Sequence, residues 1–135
     1  MIPRTLLIAV EPFGEGLSAE RAAAAIGRGL QAGDPSLGVD LCPIEPTVPG
    51  GFDVRMRAAR AVVVGAERLD ERTLVGSAVF EIATRARQAG VPAYAVTAEN
   101  HLSLFDARIL DLQVILQARD TRALRRAGEK LAGVV

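Results

Sequence analysis

A three-layer α/β domain built on a mainly parallel sheet is the fold class this chain predicts, and three observations predict it. Short apolar runs alternate along the chain with stretches of helical period, the pattern of strand–helix–strand units joined by right-handed crossovers. Two segments, Thr5 to Ala19 and Val64 to Gly76, each pass from an apolar strand through a glycine-containing loop into an amphipathic helix. Loops of this kind lie at the carboxyl ends of parallel strands, where open α/β sheets bind ligands. The length, 135 residues with 50% hydrophobic and 24% charged, suits one domain spanning residues 1–135 around a single core.

The elements follow in order. Residues 5–10 are rich in leucine and β-branched side chains and predict a buried parallel strand. Ser18 is placed to cap a helix whose Ala19, Ala22, Ala23, Ile26 and Leu30 recur at helical spacing. Gly33-Asp34-Pro35 stops it. A short strand is expected over 38–42 and a third over 61–65. Between them, Pro43 to Asp53 is crowded with turn formers and predicts a loop, and Val54 to Arg60 has room for one or two helical turns. Asp70 or Thr73 is expected to cap a longer helix with an apolar stripe at Val75, Ala78, Val79, Ile82, Ala83 and Ala86, closed by Gly90. A fourth strand is expected over Pro92 to Thr97, a fifth within 107–112, and a last helix from about Asp120 to Leu131. About five mainly parallel strands with helices on both faces make the fold Rossmann-like or flavodoxin-like.

Composition narrows the function classes. Sixteen basic and sixteen acidic residues leave the net charge near zero, so no overall field recruits nucleic acid or an anionic membrane. One cysteine, Cys42, precludes an internal disulfide, and one histidine, His101, leaves no Cys/His metal cluster. No metal ligand set is assigned, and no run approaches membrane-spanning length. The opening apolar run is too short for a signal peptide and reads as the first strand, which fits a cytoplasmic protein.

The first loop also satisfies Gly-x-Gly-x-x-Gly/Ala at Gly14-Glu15-Gly16-Leu17-Ser18-Ala19. Three residues separate the strand from Gly14, and Glu15 would face a pyrophosphate, so the dinucleotide reading is set aside.

Ile8-Ala9-Val10-Glu11-Pro12-Phe13-Gly14-Glu15-Gly16-Leu17-Ser18-Ala19 is similar, in register, to the Ile-Ala-Pro-Asp-Ser-Phe-Lys-Gly-Ser-Leu-Ser-Ala of type I glycerate kinases. Val63 to Ser77 resembles that family's Val-Ile-Thr-Gly-Glu-Gly-Arg-Leu-Asp-x-Gln-Thr-x-x-Gly-Lys through Arg68, Leu69, Asp70, Thr73 and Gly76. The stretch from Ala86 to Pro92, Phe105-Asp106-Ala107 and the final helix also resemble the family. The resemblance implies a kinase-like domain with ATP and Mg²⁺ as cofactors if kinase chemistry holds. Asp70 and Glu11 are then the catalytic candidates, and Phe13, Gly14, Gly16, Ser18, Glu45, Arg68, Thr73 and Asn100 the ligand-binding ones. It also implies that loop 43–53 stands where the family inserts a second, large domain.

Departures from the family pattern fall on the chemistry. Gly14 and Ser77 stand at lysine positions, Glu11 at an aspartate, Ala66 at a glutamate, Glu67 at a glycine and Arg72 at a glutamine, and after Glu45 the acidic glycine-rich motif is missing. Phosphoryl transfer needs cations on the phosphates and a group that positions the acceptor hydroxyl. Two functions are therefore expected to compete. One is a domain without kinase activity that binds a small carboxylate or phosphate, or serves as a homodimer or partner-protein module. The other is an ATP-dependent glycerate kinase component completed by a partner chain or a second subunit. Arg68 and Asp70 are candidates for anion binding at a helix head, against the plainer reading of Asp70 as a cap. Glu11 and Glu45 at strand ends are candidates for Mg²⁺ or proton exchange, against simple solvation. Asn100 and His101 lie over the same edge, and Cys42 is read as a core residue.

Overall fold

The computed structural model describes residues 3–135. Met1 and Ile2, read above with the approach to the first strand, lie outside the described residues. In chain order the elements are β1 (Thr5–Val10), α1 (Ala19–Gly33), β2 (Gly38–Pro43), α2 (Phe52–Arg57), β3 (Ala61–Leu69), a 3₁₀ helix (Glu71–Leu74), α3 (Ala78–Ala89), β4 (Ala93–Asn100), α4 (Leu104–Leu110), β5 (Leu112–Gln117) and α5 (Thr121–Ala132). The sheet has five strands in the order β2-β1-β3-β4-β5, all parallel. This is the flavodoxin-like order, with its switch point between β1 and β3.

Alternation along the strands sorts two cores. Leu6, Ile8 and Val10 of β1 join Val63, Tyr94 and Val96 beneath α1 and α5. Leu7 and Ala9 join Val62, Val64 and Ala95 beneath α2 and α3. Because both faces of β1 are covered, five of its six residues are buried, which is why it reads as an unbroken apolar run. The α1–α5 pair is packed backbone to backbone. A methyl group on Gly128 would run into the Ile26 carbonyl oxygen, and one on Gly29 would run into that of Arg125.

Three expectations need correcting. The long helix α3 is capped by Ser77, whose hydroxyl accepts from Phe80 N at 3.0 Å, and not by Asp70 or Thr73. Those two residues instead form a reciprocal cap on the separate 3₁₀ helix, and Gly76, at φ 75°, turns the chain between the two. The fifth strand lies at Leu112–Gln117, because residues 104–110 form α4, started by Ser103 and stopped by Asp111 in the left-handed region. The third strand continues to Leu69, since Arg68 and Leu69 pair with Glu99 and Asn100 of β4.

The β2–β3 crossover is better furnished than the sequence predicts. Here α2 begins at Phe52, and Phe52, Met56 and the preceding Ile44 are all buried. The loop over 44–51 is thus anchored in the core at both ends, with Ile44 N–H donating to Val10 O at 2.8 Å.

Candidate functional site

The ends of the strands build a ledge. β1 leaves the sheet at Val10, opposite Gly65, whereas β3 and β4 stay paired four residues further, to Leu69 and Asn100. Fully buried Thr97 ties this extension together, its hydroxyl within hydrogen-bond distance of Glu67 O (3.2 Å) and Glu99 O (3.1 Å). The His101 N–H closes it by donating to Leu69 O at 2.7 Å. The 3₁₀ helix then folds over the end, fixed by the Asp70 N–H to Thr73 Oγ1 bond (3.0 Å) and by Arg72 N–H to Asp70 Oδ1 (2.9 Å).

Two open depressions flank the ledge. One, of about 360 Å³, lies toward β1 and is lined by Glu11, Pro12, Ala66, Glu67, Arg68, Asp70, Arg72, Thr73 and Ser77. The other, of about 610 Å³, lies toward α4 and is lined by Arg68, Asp70, Glu71, Arg72, His101, Ser103 and Asp106. Arg68, Asp70 and Arg72 belong to both.

Arg68, Asp70 and Glu99 form the ion pairs of the ledge. Arg68 Nε donates to Asp70 Oδ2 at 2.8 Å, and its Nη1 lies 4.0 Å from Glu99 Oε1. The Arg68 hydrogen bond holds the Asp70 carboxyl below the usual carboxylate range, with further help from Arg72 N–H. Glu99 is likewise lowered, first by its hydrogen bond with His101, whose Nε2 is 3.3 Å away. Glu11 behaves oppositely, because partial burial without a countercharge pushes its carboxyl up. Its raised value means that folding disfavours the charged form. Glu11→Gln is therefore expected to stabilise the protein at neutral pH. That gain is absent below the ordinary carboxylate range, grows as pH rises from there through the folded value, and is level above it. Urea titrations of both proteins at pH 3.5–7 check this, and a gain that grows toward low pH contradicts it.

Of the residues picked from the sequence, Glu11, Arg68, Asp70 and Thr73 meet in the β1-side depression. Phe13 is buried with the α1-side core. Ser18 spends its hydroxyl capping α1, accepting from Arg21 N at 3.2 Å. Gly14, at φ 81°, sits against the Glu67 carboxylate, so a carboxylate occupies the space a side chain there would enter. Gly16, Glu45 and Asn100 line neither depression, and the Asn100 side chain instead accepts from Leu102 N at 3.1 Å. Ser77, at a lysine position of the family motif, donates to Thr73 O at 2.6 Å. Arg72, Glu67, Ser77, Ser103 and Asp106 were not among the candidates. The signal for Arg72, Glu67 and Ser77 was their departure from the motif. Among the described residues no three His, Cys, Asp or Glu side chains converge to hold a metal ion.

The model of the glycerate kinase family matches residues 47–132. The chain belongs to the glycerate kinase family. Within this glycerate kinase family domain the match takes in the ledge, the 3₁₀ helix and every lining residue of the α4-side depression, and it begins after the β1–α1 loop. No curated protein matches the chain. Among solved structures, a flavodoxin, WrbA-like protein from Agrobacterium tumefaciens is similar in fold, with a TM-score of 0.54 at 14% identity over 96% of this chain and 95% of that one. At that identity the likeness concerns the fold alone. No helix among the described residues is long and apolar enough to cross a membrane.

Proposed function

We propose that this glycerate kinase family domain binds a small carboxylate or phosphate on the β3–β4 ledge and does not itself transfer phosphate. The observation that carries the reading is Arg72. It lines both depressions, and its guanidinium makes no ion pair or side-chain hydrogen bond among the described residues, whereas Arg68 beside it is held by Asp70. A free guanidinium next to a fixed one offers a fork for one planar or tetrahedral anion. A nucleotide polyphosphate suits the site poorly. Glu11 and Glu67 face the place where it would lie, and the two lysine positions are Gly14 and a serine already engaged in capping.

Thermal melting with D-glycerate, inorganic phosphate or Mg²⁺–ATP tests this. Glycerate or phosphate is expected to raise the melting temperature saturably, by the equivalent of about 2.7 kcal/mol at a hundredfold excess over Kd, and Arg72→Ala is expected to abolish the rise. No γ-phosphate transfer is expected. Mg²⁺–ATP-dependent phosphorylation of glycerate, lost in Asp70→Ala, refutes the proposal.

One observation favours a second reading, in which another chain or copy completes a working phosphotransferase. Leu104 and Phe105, next in the chain to the lining residues Ser103 and Asp106, and Val75, two residues from the lining Thr73 and Ser77, are 83%, 72% and 81% exposed. Apolar side chains beside an open site suit a cover, the role that a domain inserted at loop 43–53 would serve in longer relatives. Transfer activity that emerges only with an added chain would select this reading.

A further inference from the structure

We propose that the free edge of β5 is a docking strand for an extended acidic segment of another protein, which adds to the sheet beside Ile115, Leu116 and Gln117. The two edges of the sheet differ. At β2 the edge carries Asp40, gripped by Arg55 through Nε (2.9 Å) and Nη2 (2.6 Å), and the same guanidinium donates to Leu41 O at 3.0 Å. Charged cover of this kind blunts an edge against strand addition. β5 has no charged residue from Leu112 to Gln117, and among the described residues it pairs only with β4. A bulge interrupts that pairing near its start, after which Ile115, Leu116 and Gln117 run in register with Ala95, Val96 and Thr97. Ala118 N–H donates to Thr97 O at 2.8 Å. By the alternation of the ladder, Ile115 and Gln117 therefore turn their N–H and C=O groups away from β4, toward an incoming strand.

Beside this edge lies a groove of about 260 Å³ between β5 and α5, lined by Leu116, Gln117, Ala123, Arg126, Ala127 and Lys130. Its floor is apolar and its rim cationic. The ion pair on α5 is Arg125–Glu129 at 3.8 Å, which leaves Arg126 and Lys130 without an acidic partner among the described residues. An added strand directs every second side chain over this groove, so a segment whose groove-facing positions carry both carboxylates and an apolar residue sets the carboxylates against Arg126 and Lys130 and the apolar side chain over Leu116 and Ala127. The same charges disfavour a second copy, because two-fold pairing of β5 with itself would bring both sets of cations to one seam. Nucleic acid would leave the open backbone edge unused.

The test uses the full chain and fluorescence anisotropy with three labelled probes: the hexapeptide Glu-Thr-Val-Thr-Glu-Thr, which carries glutamate and valine on one face of a strand, its counterpart with lysine for glutamate, and a single-stranded oligonucleotide. The acidic peptide is expected to bind saturably and to slow hydrogen exchange at the Ile115 and Gln117 amides. The double variant Arg126→Glu/Lys130→Glu, at two exposed positions, is expected to weaken it about tenfold. The proposal is overturned if the acidic peptide does not bind, if the basic peptide or the oligonucleotide binds as well, or if the double variant binds unchanged. Slowed exchange confined to other strands overturns it too, as does a concentration-dependent dimer in sedimentation that protects these amides without peptide.

Discussion

Replacing Gly128 by valine is expected to cost about 3 kcal/mol or more, a large part of the stability of a domain this size. The reason is the α1–α5 contact, where the added Cβ meets the Ile26 carbonyl oxygen and lies 2.9 Å from Leu30 N. Backbone cannot yield as a side-chain tip can, so the helices must separate, and Leu30, Leu124 and Leu131, each with 0% exposure, lose their packing. Gly128→Ala sharpens the test. In an exposed helix interior that change gains about 1 kcal/mol from helix propensity, whereas here it is expected to destabilise. Urea unfolding reads both variants as a lower midpoint at constant slope. A stabilised Gly128→Ala protein would show that the helices do not touch as described.

The second large effect is expected at Gly65. A methyl group there lies 2.6 Å from Val10 Cγ1 and 3.2 Å from Val96 O, in the middle of three paired strands. Gly65→Ala is expected to cost about 2 kcal/mol and to reach the site, because Gly65 O accepts the Glu11 N–H at 2.8 Å and so fixes where the first loop departs. Ligand-induced stabilisation should fall with it. Adding Val10→Ala removes the clashing methyl groups, so the double variant should cost less than the sum of the single changes, by about 1 kcal/mol in a double-mutant cycle. Strict additivity would rule out the contact as the cause.

Much of the fold was legible because its signals are local. Ser18 caps α1 as expected, the last helix starts after Asp120 as expected, and the apolar run of β1 follows from burial on both faces. The errors arose where one signal had two outlets. Asp70, Thr73 and Ser77 are all competent caps within eight residues, and only the left-handed turn at Gly76 decides that a 3₁₀ helix ends before α3 begins. Residues 107–112 carry strand-forming side chains, yet the Ser103 hydroxyl accepts from Asp106 N at 3.0 Å and starts a helix across most of them. Neither the ledge nor the place of Arg72 between the two depressions could be read, because both depend on how far β3 and β4 outrun β1. That length is set by Thr97 and by the pairing of Arg68 and Leu69 with Glu99 and Asn100, contacts between positions distant in the chain.

The α1–α5 contact has a further consequence, for the order of events in folding. Gly29 and Arg125 meet across most of the length of the chain, so a ribosome presents α1 long before the helix that covers it. Until α5 emerges, the alanine-rich face of α1, including Ala22, Ala25 and Ile26, has only β1 and β2 to rest on. The nascent protein thus passes through a stage in which part of one core is wet, and closure waits on contacts between residues far apart in the chain.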